Sequence, residues 1–134
     1  MVQIEGKYQH ERSENLDGFF KAVGVPYVAR VMMRMTSPLL EVLRDAGKWV
    51  VRSTTMVRTQ EMSFVPGVEY DEVMPSGDVL KNTAQVEDDC ISIVSLLPNG
   101  KKTTREYKFS DESVEVTLTD EESGQVAKRY FRRV

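Results

Sequence analysis

The chain has 134 residues, enough for one domain, and its 40% hydrophobic and 29% charged content is that of a folded soluble protein rather than a disordered one. A formal net charge of −3 removes any whole-surface attraction for nucleic acid, and a single cysteine, Cys90, excludes both an internal disulfide and a redox cysteine pair. Cys90 and the one histidine, His10, fall short of a four-ligand zinc site, so no metal is expected.

No window is long and apolar enough to cross a bilayer as a helix, and MVQIEGKYQH does not resemble a signal peptide. The cytosol is the expected compartment, with access to the nucleus. No linker, repeat or low-complexity tract divides the sequence, so residues 1–134 read as one domain.

Gly6-Lys7-Tyr8 reads as a first strand, followed by a helical zone from Asn15 to Ser37. Asn15 is placed to cap a first helix with its side-chain oxygen, and Gly24 to end it in a left-handed conformation. Between them Leu16, Phe19, Phe20 and Val23 fall at i, i+3, i+4 and i+7, which is one apolar stripe. Pro26 suits the first turn of a second helix, whose apolar face is read as Val28, Val31, Met32 and Met35, and Pro38 stops it. The two short helices form a helix-turn-helix hairpin.

From Leu39 the period changes to two. Turn residues recur at Asp45-Ala46-Gly47, Pro66-Gly67, Pro75-Ser76-Gly77, Asp88-Asp89, Pro98-Asn99-Gly100, Ser110-Asp111-Glu112 and Ser123-Gly124. That spacing predicts an antiparallel up-and-down sheet of about ten strands. A sheet of that length curls and closes, and a barrel of that width is too wide for side chains to fill. The geometry therefore predicts an internal cavity with the helical hairpin over one open end.

The last predicted strand, VAKRYFRRV, carries cations on both faces. One face holds Ala127, Arg129, Phe131 and Arg133; the other holds Val126, Lys128, Tyr130 and Arg132. A cation on this strand therefore points inward in either register, and alternation alone does not choose between them. Most arginines are solvated surface cations, and that is the ordinary reading of Arg105 and Arg129 taken singly.

Several segments carry a resemblance. GKYQHERSENLDGFFKAVGV resembles the opening signature of the intracellular lipid-binding proteins, the family of fatty-acid-binding and cellular retinoid-binding proteins. RSTTMVRTQEMSFVPGVEYDEV is similar to that family's middle region, and KTTREYKF and VAKRYFRRV to its antepenultimate and last strands. The resemblance covers the whole chain. It implies a calycin-like, ten-stranded antiparallel β-barrel with a helix-turn-helix lid inserted after the first strand.

It also implies a site. Members hold a lipid carboxylate with an arginine and a tyrosine on the last strand and an arginine on the antepenultimate strand. By position these are Arg129, Phe131 and Arg105, and Phe131 departs from the pattern because it has no hydroxyl to donate. Leu16, Phe19, Met32, Val57 and Arg58 are the implied portal and cavity-lining residues. Arg132 and Arg133 are read as solvated tail charges.

A buried guanidinium costs several kcal/mol unless it is satisfied, and its planar fork suits a carboxylate. The expected function is a monomeric, non-enzymatic carrier of a long-chain fatty acid or similar apolar carboxylate, needing no cofactor. Retinoic acid transport is the alternative. Lys21, Arg30 and Arg34 suggest transient contact with anionic membranes beside the simpler reading of a solvated helix face. His10 is expected to be exposed, and Glu69, Asp71 and Glu72 to face solvent; no nucleophile–base arrangement supports an enzyme.

Overall fold

The computed structural model describes residues 3–56, 58–74 and 77–134. Strand β1 (Gly6–Glu14) is followed by helices α1 (Leu16–Ala22) and α2 (Tyr27–Arg34). Nine more strands complete the chain: β2 (Leu39–Asp45), β3 (Lys48–Thr54), β4 (Thr59–Phe64), β5 (Tyr70–Val73), β6 (Val79–Glu87), β7 (Cys90–Leu96), β8 (Lys102–Phe109), β9 (Ser113–Asp120) and β10 (Val126–Arg133). The sheet order is β4-β3-β2-β1-β10-β9-β8-β7-β6-β5, so the antiparallel β1–β10 pairing brings the two chain ends together. The expected meander with a helical lid is present.

β4 and β5 are the two edges of the sheet, and side chains join them. The amide of Gln60 donates to the Val73 carbonyl at 3.3 Å, and the Phe64 and Tyr70 rings stack at 5.4 Å. Turn chemistry sets the register elsewhere. Ala46 and Gly47 both have positive φ (51° and 83°), the two-residue turn that matches strand twist and joins β2 to β3.

Strand alternation separates core from surface. On β9 Val114, Val116, Leu118 and Asp120 are buried, and on β7 Ile91, Ile93 and Ser95. The barrel end away from the lid is packed solid by residues such as Tyr8, Phe64, Ile91, Phe109 and Val114. Arg133 closes that end instead of extending into solvent as the sequence suggested. Its guanidinium donates to the carbonyls of Gln3, Glu5 and Asp111 and to the Tyr8 hydroxyl, at 2.5–3.1 Å. Four oxygens satisfy this half-buried cation, which the strand pattern alone could not reveal.

The lid follows expectation on α1 and departs from it on α2. Leu16 and Phe19 are buried, with Phe20 and Val23 packed against the same core, and Gly24 is left-handed (φ 93°). Asn15 makes no side-chain cap. It is itself left-handed (φ 52°), and its amide donates to Gln125 and to the Val126 carbonyl, both at 2.9 Å, pinning the lid to the start of β10.

On α2 the predicted apolar face is turned largely outward, with Val31 half-buried. Val28, Met32 and Met35 are exposed, and the inner face carries the smaller Ala29 together with Met33. The bulkier apolar side chains of this helix lie on its outward side, so periodicity picked the wrong face.

Candidate functional site

A cavity of about 430 Å³ lies between lid and barrel. Phe19, Ala29 and Met33 roof it, and apolar wall comes from Leu40, Val51, Met62, Val116 and Leu118. A few polar groups break this lining, chiefly Gln60, Glu72, Arg105, Tyr107 and Arg129.

Arg105, on β8, points inward and meets Glu72 from β5. Two guanidinium nitrogens approach the carboxylate at 2.5 and 3.4 Å, and the Asn82 amide adds a third bond at 2.8 Å. Burial pushes the Glu72 carboxyl upward. The charge of Arg105, with hydrogen bonds from Arg105, Asn82 and Gln60, overcomes that and holds it below the usual range. Glu72 is therefore an ionised counter-ion built into the wall, not the solvent-facing carboxylate expected beside a turn. The cause is alternation on β5, which turns Tyr70 and Glu72 inward and Asp71 and Val73 outward.

Arg129, on β10, is in a different state. Its neighbours Ala127 and Phe131 are 1% and 4% exposed, which fixes the inward face of the strand. Tyr130 lies on the outer face under the Arg12 guanidinium, 3.8 Å from its ring centroid, and Lys128 pairs with Glu115 at 2.8 Å. Among the described residues no carboxylate pairs with Arg129. It donates through Nε to Ser13 Oγ at 3.3 Å and lies 5.7 Å from the Phe131 ring centroid. Burial lowers its pKa from the ordinary value, partly offset by Tyr107.

Tyr107 is buried on the cavity wall two residues after Arg105, and both arginines act on its phenol. Burial pushes that phenol upward, so it is a protonated hydroxyl at neutral pH. It supplies to this cavity the donor type that Phe131 lacks.

The remaining predicted residues separate. Phe19 and Phe131 line the barrel cavity. Leu16 is buried but lines a neighbouring cleft. Met32 is 57% exposed and lines neither space; Met33, one residue on, lines both, because the helix presents its opposite face to the barrel. Arg58 is exposed and also lines neither, while Val57 lies outside the described residues.

Sequence reasoning missed Glu72, Tyr107, Ser13 and His10. For Tyr107 the signal was available, since residues two apart share a strand face. For Ser13 and His10 it was not. The pairing of β1 with β10 is irregular between His10 and Arg12, and this shift places both His10 and Ser13 beside Arg129.

No family model matches the sequence. The chain is 30% identical over 133 residues to a fatty-acid-binding protein of Tyrophagus putrescentiae, covering 99% of each. It is 34% identical over 90 residues to sodium/calcium exchanger regulatory protein 1 of Doryteuthis pealeii, covering 67% of this chain and 68% of that one. Among solved structures, fatty-acid-binding protein 1 of Echinococcus granulosus superposes with a TM-score of 0.89 at 26% identity, over 98% of this chain and 97% of the other. A lidded ten-stranded barrel, a hollow with inward arginines, and full-length similarity at this level together make the chain a member of the intracellular lipid-binding family, that of the fatty-acid-binding proteins.

Proposed function

We propose that this protein is an intracellular carrier of a long-chain fatty acid, with the acyl tail in the barrel cavity and the carboxylate on Arg129, assisted by the Tyr107 hydroxyl. One observation carries the reading: a largely desolvated guanidinium faces an apolar-lined cavity and, among the described residues, has only Ser13 Oγ as a protein acceptor. The cavity lies in the range of about 300–1,000 Å³ typical of small-ligand sites. Burial of each methylene contributes roughly 0.8 kcal/mol, and a charge-assisted hydrogen bond roughly 1.5–3 kcal/mol. The tail therefore supplies most of the affinity, and Arg129 fixes which end enters.

Arg105 takes a smaller part in this reading, because Glu72 already occupies its fork. No covalent step is assigned to the protein. The outward face of α2, with Tyr27, Val28, Met32 and Met35 beside Arg34, suits brief contact with a membrane where ligand is loaded or released. A monomer working in the cytosol, and reaching the nucleus, completes the proposal.

Displacement of a fluorescent fatty-acid probe tests it. Oleate is expected to compete strongly and methyl oleate weakly. Failure of oleate to displace the probe rejects the carrier, and retinoic acid outcompeting oleate transfers the site to the retinoid alternative.

A further inference from the structure

Arg129 borders a second space. On the far side of its guanidinium a cleft of about 750 Å³ opens between β1, α1 and the end of α2, lined by His10, Ser13, Asp17, Lys21, Arg34 and Arg129 among others. The charges facing His10 across this cleft are Arg129 from β10, Arg12 from β1, Asp17 and Lys21 from α1, and Arg34 from α2.

Most of the partners that could neutralise these cations are already engaged. Among the described residues Asp17 is the single acidic one lining the cleft, and it is held by Arg30 at 3.0 Å. Arg12 is held by Glu14 at 2.7 Å. Lys21, Arg34 and Arg129 make no ion pair among the described residues, and they approach from three different elements. His10 Nε2 lies 2.8 Å from Ser13 Oγ, which in turn accepts from Arg129 at 3.3 Å, so one hydroxyl links the imidazole to the buried guanidinium.

We propose that this cleft is a second anion site, for a phosphate group, and that it shares Arg129 with the barrel cavity. A phosphate fits better than a carboxylate because three acceptor oxygens can meet donors converging from β1, the lid and β10, whereas a carboxylate has two. Sharing one guanidinium makes the two sites antagonistic. A phosphate in the cleft offsets the charge that grips the carboxylate inside, and by linkage a bound fatty acid weakens phosphate to the same degree. A free phosphate ester and the headgroup of an anionic lipid carry the same chemistry; the second would make membrane contact itself an unloading signal. The antagonism rests on the carrier reading, but the cleft site does not.

His10 is the one histidine of the chain, so its imidazole resonance reports the cleft without ambiguity. Burial and the Arg129 charge hold its pKa below the ordinary value, and a bound anion should move it upward. The experiment follows that resonance in the ligand-free full chain. One arm adds inorganic phosphate against sodium chloride at equal ionic strength. The other adds phosphatidylcholine vesicles with and without phosphatidic acid.

A saturable shift with an upward move of the His10 titration is expected in at least one arm. Response to inorganic phosphate assigns a free ester, and response to phosphatidic acid alone assigns a lipid headgroup. The surface pair Lys21→Ala and Arg34→Ala, outside the barrel cavity, should weaken either response roughly fivefold. Equal shifts in phosphate and chloride, together with no difference between the vesicles, overturn the site. In a parallel titration with fluorescent fatty acid, unchanged affinity at saturating phosphate overturns the sharing of Arg129. If no fatty acid binds at all, the carrier reading fails while the His10 measurement still decides the cleft.

Discussion

Two arginines enter the same cavity, one from β8 and one from β10, and they meet different partners. Arg105 meets a carboxylate supplied by the protein, whereas Arg129 meets a serine hydroxyl and a phenylalanine ring. Both guanidinium groups are largely withdrawn from bulk water, which is costly unless offset. Glu72 offsets that cost for Arg105 whether or not a ligand is present. Among the described residues Arg129 has no equivalent, which leaves its charge for an incoming anion on the proposed reading. On that reading, the same residue type serves structure on one wall and recognition on the other, and the identity of the neighbour decides which.

The largest effect should come from breaking the finished pair. Glu72→Gln strands Arg105 and is expected to lower unfolding free energy by about 3–5 kcal/mol at pH 7 in chemical denaturation. The pH dependence has a definite sign. The folded Glu72 carboxyl is held below its ordinary value of 4.5, so the stabilisation is fully present above that pH and is lost as pH falls through the folded value. Glu72→Gln should therefore flatten the acid limb of the stability profile; an unchanged limb would mean the pair contributes little.

The next effect belongs to the unpaired arginine, and stability and binding should move differently. Arg129→Gln is expected to weaken fatty-acid affinity by roughly 10- to 100-fold, the worth of one charge-assisted contact. The empty protein should keep its stability or gain some, because an unneutralised buried cation has been removed. Loss of stability without loss of affinity would reverse the roles assigned to the two arginines. Tyr107→Phe should cost less, a few-fold in affinity for oleate and almost nothing for methyl oleate, in keeping with one neutral hydrogen bond of about 0.5–1.5 kcal/mol. The smallest effect is expected from Phe131→Tyr, a modest gain in carboxylate affinity measured by the same titration.

Strand number, meander order and the existence of a hollow could be read from turn residues and period-two alternation, and the lid from the helical stripe of Leu16, Phe19, Phe20 and Val23. Local patterns failed where the more apolar face of a helix is turned outward or where a contact joins distant strands. On α2 the outward Val28, Met32 and Met35 are more hydrophobic than the inward Ala29, so the stripe pointed away from the barrel. Glu72 and Arg105 are 33 positions apart, and Arg133 reaches Gln3 across nearly the whole chain. No local rule predicts such partners. The inward face of the last strand was undecided by alternation, and burial of Ala127 and Phe131 decides it.

The central claim is that the ligand anion is gripped by Arg129 rather than Arg105. The most direct measurement is the pH titration of a bound fatty acid labelled with carbon-13 at its carboxyl, followed by NMR in three proteins. The unaltered chain and the charge-neutral double variant Glu72→Gln with Arg105→Gln should both keep the bound carboxylate ionised below its range in water. Arg129→Gln should let it protonate at higher pH. The opposite pattern, with the carboxylate unmoved by Arg129→Gln and shifted by the double variant, would contradict the account.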